Sequence, residues 1–151
     1  MSMKDPVNYE VGGNKYVTIP LTGRKAMRLD KLVTPIIFQL GRKAAKLTKA
    51  DLAILLCEKM SELSEERFEE IRSLTFDGTM FAGNDKEKSF SLDSEEFYDH
   101  FEGRLIEMYN VFVEAWGAHK LTPFRMMAGP STEETASQES SLTKGRKTSK
   151  A

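Results

Sequence analysis

The chain has 151 residues, 40% of them hydrophobic and 30% charged, and its 22 basic and 23 acidic side chains leave a formal net charge of −1. This length suits one domain with a hydrophobic core of its own, and the balanced charge argues against a general nucleic-acid binder. The single cysteine, Cys57, excludes an intramolecular disulfide and a zinc site built from several cysteines.

The first predicted element is a β-hairpin at about residues 7–19. Apolar and polar residues alternate from Val7 to Val11, Gly12 and Gly13 supply positions that tolerate a positive φ, and a second β-rich run extends from Tyr16 to Ile19. Because a two-stranded ribbon is marginal by itself, we expect the hairpin to pack along one side of a helical body.

Helices are predicted for most of residues 22–125. Thr22 is a plausible N-cap for the first, and Pro35 is expected to end or kink it because proline disfavours the α conformation in the preceding residue. Thr48 and Ser64 are the predicted N-caps of the next two helices. The segment from Thr75 to Phe81 favours β structure, with a turn at Asp77-Gly78, and Phe90 and Leu92 suggest a short extended piece.

The strongest helical pattern begins at Asp93 or Ser94. Gly103 interrupts this pattern, but one glycine costs a helix only about 1 kcal/mol relative to alanine. We therefore predict a single long helix that ends near Gly117 and Pro123 and packs centrally. Its apolar positions are Phe97, Phe101, Leu105, Met108, Phe112 and Trp116.

The composition changes after residue 127. Residues 128–151 have no aromatic side chain and one large apolar side chain, Leu142, with acidic residues first and basic residues last. Such a segment buries too little surface to offset its ordering entropy, so it is predicted to be a disordered polar tail. The fold prediction is thus a predominantly helical α+β domain over residues 1–127, with the hairpin followed by about four to five helices.

No catalytic, cofactor-binding or metal-binding constellation is expected. His100 and His119 are 19 positions apart, and Glu96 and Asp99 near His100 favour an ordinary contact on a helix surface. Cys57 lies among apolar residues, which favours a structural role over a reactive thiolate. The amino terminus lacks a signal-peptide pattern and the apolar runs are too short to span a membrane, so a soluble cytoplasmic protein without membrane or nucleic-acid partners is expected.

The stretch LDSEEFYDHFEGRLIEMYNVFVEAWGAHKLTPF, from Leu92 to Phe124, resembles the conserved end of tail assembly chaperones of long-tailed bacteriophages. That pattern has a leucine and an acidic residue, an aromatic residue, a His-Phe pair, Gly-Arg and a long apolar helix. The opening YVTIPLTGRKAMRL also fits, so the resemblance covers roughly residues 7–125. The chain departs from the family at Ala115–His119, where the family has a more aliphatic run. The matching positions expected to be structural are Leu92, Asp93, Phe97, His100, Phe101, Gly103 and Arg104, and Glu107 and Phe124 also match the pattern.

The resemblance implies a function without catalysis. Such a chaperone binds the tape-measure protein in the host bacterial cytoplasm, prevents its aggregation, and gives way as tail-tube subunits assemble, so it is not expected in the mature virion. In this family a longer form made by translational frameshifting often recruits the tail-tube protein, and homo-oligomers occur.

Apolar residues next to helix-breaking prolines are the candidate contact residues for a partner helix. For Phe124, Met126 and Met127 both core and contact roles remain open, since methionine side chains repack easily. The full candidate set is Ile36, Ile37, Phe38, Leu40, Phe124, Met126 and Met127. The alternative function is a minor structural component of the phage tail or head. An enzyme of an unfamiliar helical family, or a protein whose basic end binds nucleic acid, is less well supported.

Overall fold

The structure is a computed structural model that describes residues 5–40 and 47–128, without the side chains of Lys49, Met127 and Ala128. The strands of the described part are β1 (Val7–Val11), β2 (Asn14–Thr18), β3 (Thr79–Phe81) and β4 (Phe90–Ser91). Its helices are α1 (Gly23–Gln39), α2 (Lys49–Met60), α3 (Glu65–Phe76), α4 (Glu96–Phe101), α5 (Leu105–Ala118) and α6 (Thr122–Ala128). The predicted α+β class is confirmed, with 57% helix.

The amino-terminal hairpin is confirmed and belongs to a larger sheet. β1 and β2 pair antiparallel, with Tyr9 opposite Tyr16, and the turn between them contains Gly12 and Gly13, both at positive φ. β3 pairs antiparallel with β2, and β4 pairs with β3, so the strand order is β1-β2-β3-β4. The hairpin therefore gains two strands that lie more than sixty residues later in the chain.

The first three helices begin where the sequence predicts. Thr48 Oγ1 accepts a hydrogen bond from Asp51 N at 3.1 Å, and Ser64 Oγ accepts one from Arg67 N at 3.1 Å. Thr22 is the residue before α1 but forms no such side-chain cap. The hydroxyls of Thr48 and Ser64 each satisfy a first-turn amide that lacks a partner within the helix.

The sequence predicts that Pro35 ends or kinks α1, but the helix does not end there. The helix continues through Pro35 to Gln39. Proline removes the hydrogen bond to the carbonyl four residues earlier, which belongs to Lys31. Both residues are exposed, so water can reach that carbonyl, and Ile36 and Ile37 on the opposite side are buried and hold the last turn in place.

The prediction of one long carboxy-terminal helix is wrong, because the helix is interrupted at Gly103. The segment forms two helices, α4 and α5, separated by Glu102, Gly103 and Arg104, and Gly103 has a φ of 76°. This left-handed conformation suits glycine and breaks the helix. The break makes α4 a helix of its own that buries Phe97 and Phe101, and the ring centroid of Phe97 lies 6.4 Å from that of Phe112 of α5.

The core lies between the sheet and the helices, with α5 at its centre. α5 packs against β1, α2, α3, α4 and α6. Trp116 and Phe112 of this helix are fully buried, and their neighbours include Phe76, whose ring centroid lies 4.8 Å from that of Phe112. The large side chains that are almost completely buried include Trp116, Tyr16, Phe76, Phe81, Phe97 and Phe112.

The predicted disordered tail comprises residues 128–151, and its residues from 129 onward lie outside the described part of the chain. Within the described ranges, no helix has the length and apolar character that crossing a membrane requires.

Candidate partner-binding surface

Helix α1 has two distinct faces. Its core face contains Leu29, Leu32, Val33, Ile36 and Ile37, all buried. The opposite face carries Met27, Lys31 and Phe38, which recur at intervals of four and seven residues and so share one side of the helix. Met27 is 67% exposed and Phe38 is 54% exposed, so large apolar side chains lie at both ends of this outer face.

Asp30 attaches α6 to α1. Its Oδ1 accepts a hydrogen bond from Thr122 N at 3.1 Å, and its Oδ2 accepts one from Thr122 Oγ1 at 2.7 Å. Thr34 Oγ1, one turn further along α1, donates to Asp30 Oδ1 at 2.7 Å. The carboxylate thus serves as an N-cap for α6 from another helix. Burial alone raises the pKa of Asp30, but the hydrogen bonds from Thr122 and Thr34 outweigh it, and the pKa lies below its usual value.

A shallow, open groove of about 370 Å³ follows from this attachment. Met126 lies one turn after Thr122 on the same side of α6 and is 65% exposed. The groove and these exposed side chains together are named the α1–α6 surface. It comprises the lining residues Met27, Asp30, Lys31, Thr34, Pro35 and Thr122 and the exposed Phe38 and Met126 of the same two helices.

The structure separates the predicted contact residues. Ile36 is 8% exposed and Ile37 is 2% exposed, so both belong to the core and a partner cannot reach them in this conformation. Leu40 and Phe124 are half-buried against the core, and the Phe124 ring centroid lies 6.2 Å from that of Trp116. These four residues form no open surface because their apolar neighbours already cover them.

Phe38 and Met126 are the predicted contact residues that the structure leaves exposed. The side chain of Met127 lies outside the described part of the chain. Sequence reasoning missed Met27, Asp30 and Thr122 as parts of this surface. The spacing of Met27, Lys31 and Phe38 is a signal that could have identified the outer face of α1, whereas the contact between Asp30 and Thr122 spans 92 positions and leaves no local pattern.

The positions that match the family pattern have structural surroundings. The apolar members Leu92, Phe97 and Phe101 are buried, and Asp93 is exposed. Arg104 donates to the carbonyl of His100 and, at 2.6 Å, to Glu107 Oε2. These contacts hold the residues around the α4–α5 break in place.

His100 is not on the surface, contrary to the sequence-based interpretation. It is 3% exposed, its Nε2 lies 2.8 Å from Tyr16 Oη, and its Nδ1 lies 3.2 Å from Glu87 Oε1. The rings of Phe81 and Phe101 lie within 4.6 Å of it, centroid to centroid. Burial lowers the pKa of His100 although Glu87 acts in the opposite direction. The imidazole joins α4 to the sheet and is enclosed by aromatic side chains.

His119 is also buried and links three segments. Its Nε2 donates to the carbonyl of Thr75 at 2.7 Å, and its Nδ1 accepts from Leu21 N at 3.1 Å. This pair of bonds requires the neutral imidazole with the proton on Nε2. Burial lowers the pKa of His119, while the hydrogen bond to Thr75 opposes that effect. Both histidines therefore have contacts typical of structural residues.

Cys57 is a free, partly buried thiol packed against the core. In the described part of the chain, no group of three or more His, Cys, Asp or Glu side chains is arranged to hold a metal ion. The feature of the described surface best suited to recognition is thus the α1–α6 surface.

Comparisons of the chain with protein-family models, with curated proteins and with solved structures gave no match.

Proposed function

We propose that this protein is a phage tail assembly chaperone that binds apolar helical segments of the tape-measure protein on the α1–α6 surface. Binding on this surface keeps the tape-measure protein soluble until tail-tube subunits assemble around it. The observation that carries it is the exposure of Phe38 on α1 and Met126 on α6, the two helices that line an open groove. The resemblance of residues 92–124 to the family supplies the identity of the partner.

The chemistry of the surface suits a helix as the partner. A groove between two helices accepts the apolar side chains that recur along one face of an amphipathic helix. Burial of a side chain such as Phe38 or Met126 contributes about 1.5–3 kcal/mol. A few such contacts, after the entropy cost of association, give binding that is reversible, which is what a chaperone that must later release its partner needs.

Methionine contributes a second property. Met27 and Met126 are both more than half exposed, and their unbranched thioether side chains can adopt several shapes at little cost. A surface of this kind accommodates different apolar sequences in turn. The tape-measure protein is long, so a chaperone that accepts many segments of it would be more effective than one that recognises a single sequence.

The experiment is affinity capture of the tagged full-length chain from cells producing the phage, followed by mass spectrometry. We expect one very long, helix-rich protein as the dominant partner, and insoluble tape-measure protein when it is produced without this chain. A longer species that shares this sequence would indicate the frameshifted form that recruits the tail-tube protein.

Purified virions provide the control for the alternative function. A chaperone should be absent from them, whereas a minor component of the tail or head should be present in a stoichiometric amount. Its presence in virions, together with capture of mature tail or head proteins, would overturn the proposal in favour of the structural role.

A further inference from the structure

The α1–α6 surface has an uneven charge distribution. Lys31 lines the groove, Arg24 lies on the same side of α1 one turn before Met27, and Arg125 follows Thr122 on α6. Within the described residues, Arg24 and Lys31 form no ion pair, and the one side-chain hydrogen bond of Arg125 is a 3.5 Å contact with Thr122 Oγ1. Arg24 and Lys31 therefore have no carboxylate partner among the described residues, whereas the charge of Arg125 acts on Asp30 and helps to lower its pKa.

Other cations of α1 differ in this respect. Lys25 Nζ lies 2.8 Å from Asp77 Oδ2, and Arg28 Nη2 lies 2.6 Å from Glu70 Oε2. These pairs connect α1 to α3 and to the residue after it, on another side of α1. Among the described residues, α1 thus pairs Lys25 and Arg28 with carboxylates of its own fold and leaves Arg24 and Lys31 unpaired.

Asp30 reduces this positive charge but does not cancel it. It is the one carboxylate among the described residues that line the groove, and both of its oxygens already accept hydrogen bonds from Thr122, with Thr34 as a further donor. Arg24, Lys31 and Arg125 outnumber this one negative charge, so the described surface around the groove is net positive and favours an incoming carboxylate beside Lys31.

We infer that the segment bound by the α1–α6 surface is an acidic amphipathic helix, with one apolar stripe flanked by glutamate or aspartate side chains. This inference rests on the proposed function and adds the chemical class of the bound segment. The apolar stripe covers Met27, Phe38 and Met126, and the flanking carboxylates lie beside Arg24, Lys31 and Arg125. Complementary charge selects the partner and orients it, in addition to the affinity supplied by apolar burial.

Two synthetic peptides test this inference. Each has about 20 residues, a length that supports a helix on binding. They share one leucine stripe and differ only in the flanking positions, which are all glutamate or all lysine. Binding to the full-length chain is measured by fluorescence anisotropy. We expect the glutamate peptide to bind at least about tenfold more tightly, and the preference to shrink between about 0.05 M and about 0.5 M salt.

A charge reversal provides the matched comparison. Lys31→Glu combined with Arg125→Glu should weaken the binding of the glutamate peptide and strengthen the binding of the lysine peptide. Lys15→Glu combined with Lys86→Glu changes the net charge by the same amount, at exposed positions of the sheet and of the loop after β3. This control should alter the affinity of neither peptide. Circular dichroism of both double variants confirms that they remain folded.

Equal affinity for the two peptides, no binding of either, or equal effects of the two double variants would overturn the inference. A dimer of the chain that Phe38→Asp dissociates would also overturn it, because the surface would then join two copies of this protein. Capture of the tape-measure protein that persists in the Lys31→Glu and Arg125→Glu variant would leave the proposed function standing while the charge inference fails.

Discussion

At the residue scale, His119 shows how one buried side chain can fix the position of a whole helix. It accepts from the amide of Leu21 and donates to the carbonyl of Thr75, so it ties the end of α5 to the segment before α1 and to α3. Trp116, one turn earlier, donates from its indole nitrogen to Thr75 Oγ1 at 2.9 Å. The two side chains together satisfy buried polar groups that would otherwise cost about 1–3 kcal/mol each.

This arrangement predicts a pH dependence of stability. Because burial lowers the pKa of His119 in the folded state, the unfolded chain binds protons more readily, and stability is lost as the pH falls below about 6.5, the pKa of an unperturbed histidine. Urea unfolding at pH values of about 7.5 and 5.5 should give a lower free energy of unfolding at the acidic pH. His100, whose pKa is also lowered, contributes in the same direction.

His119→Gln provides the control for that prediction. It removes one titrating group, so the difference in the free energy of unfolding between the two pH values should become smaller than in the wild type. An unchanged difference would show that His119 does not titrate between the folded and unfolded states as we describe.

At the element scale, the boundary between α4 and α5 depends on one backbone conformation. Gly103 has a φ of 76°, and a Cβ added there would meet no atom within 4 Å. Gly117 lies inside α5 and likewise has open space around it. The two glycines of the predicted single helix thus differ in backbone conformation and not in crowding.

A matched pair of substitutions follows. Gly103→Ala should lower the free energy of unfolding by about 1 kcal/mol, since alanine is strained at positive φ. Gly117→Ala should raise it by up to about 1 kcal/mol, since alanine is favoured within a helix. Urea denaturation of both variants measures the difference, and effects of the same sign would contradict the assignment of the break.

The attachment of α6 is a second property at this scale. Asp30→Asn keeps the shape of the side chain but removes its charge and replaces one of the two oxygens that accept from Thr122 by an NH2 group, and we expect the free energy of unfolding to fall by about 1 kcal/mol. Hydrogen exchange should increase in α6 and much less in α2. Asp85→Asn, at an exposed position in the loop between β3 and β4, is the control. Unchanged exchange in α6 would show that Asp30 does not hold this helix.

At the scale of the whole molecule, local patterns predicted some elements and missed their assembly. The hairpin and the N-caps at Thr48 and Ser64 depend on neighbouring residues, and the structure confirms them. The pairing of β2 with β3, and the burial of His100 against Tyr16, join residues more than sixty positions apart. Such contacts leave no period in the sequence, which is why His100 was predicted to be exposed.

The same limit applies to the candidate surface. The sequence selects Phe38 and Met126 because they follow prolines that are expected to break helices, but the same criterion selects Ile36 and Ile37, which are buried. Proline marks a local backbone feature, whereas exposure depends on which side of α1 packs against α2, α3 and α6. The rotation of the helix about its axis is set by the packed core and is visible only in three dimensions.

The central claim is that the α1–α6 surface binds the tape-measure protein, and substitutions on this surface test it most directly. Phe38→Asp and Met126→Asp place a charge on two exposed apolar positions, and Leu105→Asp does the same at a 52% exposed position at the start of α5. The quantity measured is the amount of tape-measure protein captured by each variant, together with its melting temperature.

We predict that Phe38→Asp and Met126→Asp lower capture at least about tenfold, with melting temperatures within about 2 °C of the wild type because surface substitutions cost little stability. Leu105→Asp should capture as much as the wild type. Equal capture by all three variants, or a loss of capture that follows a loss of melting temperature, would contradict the account.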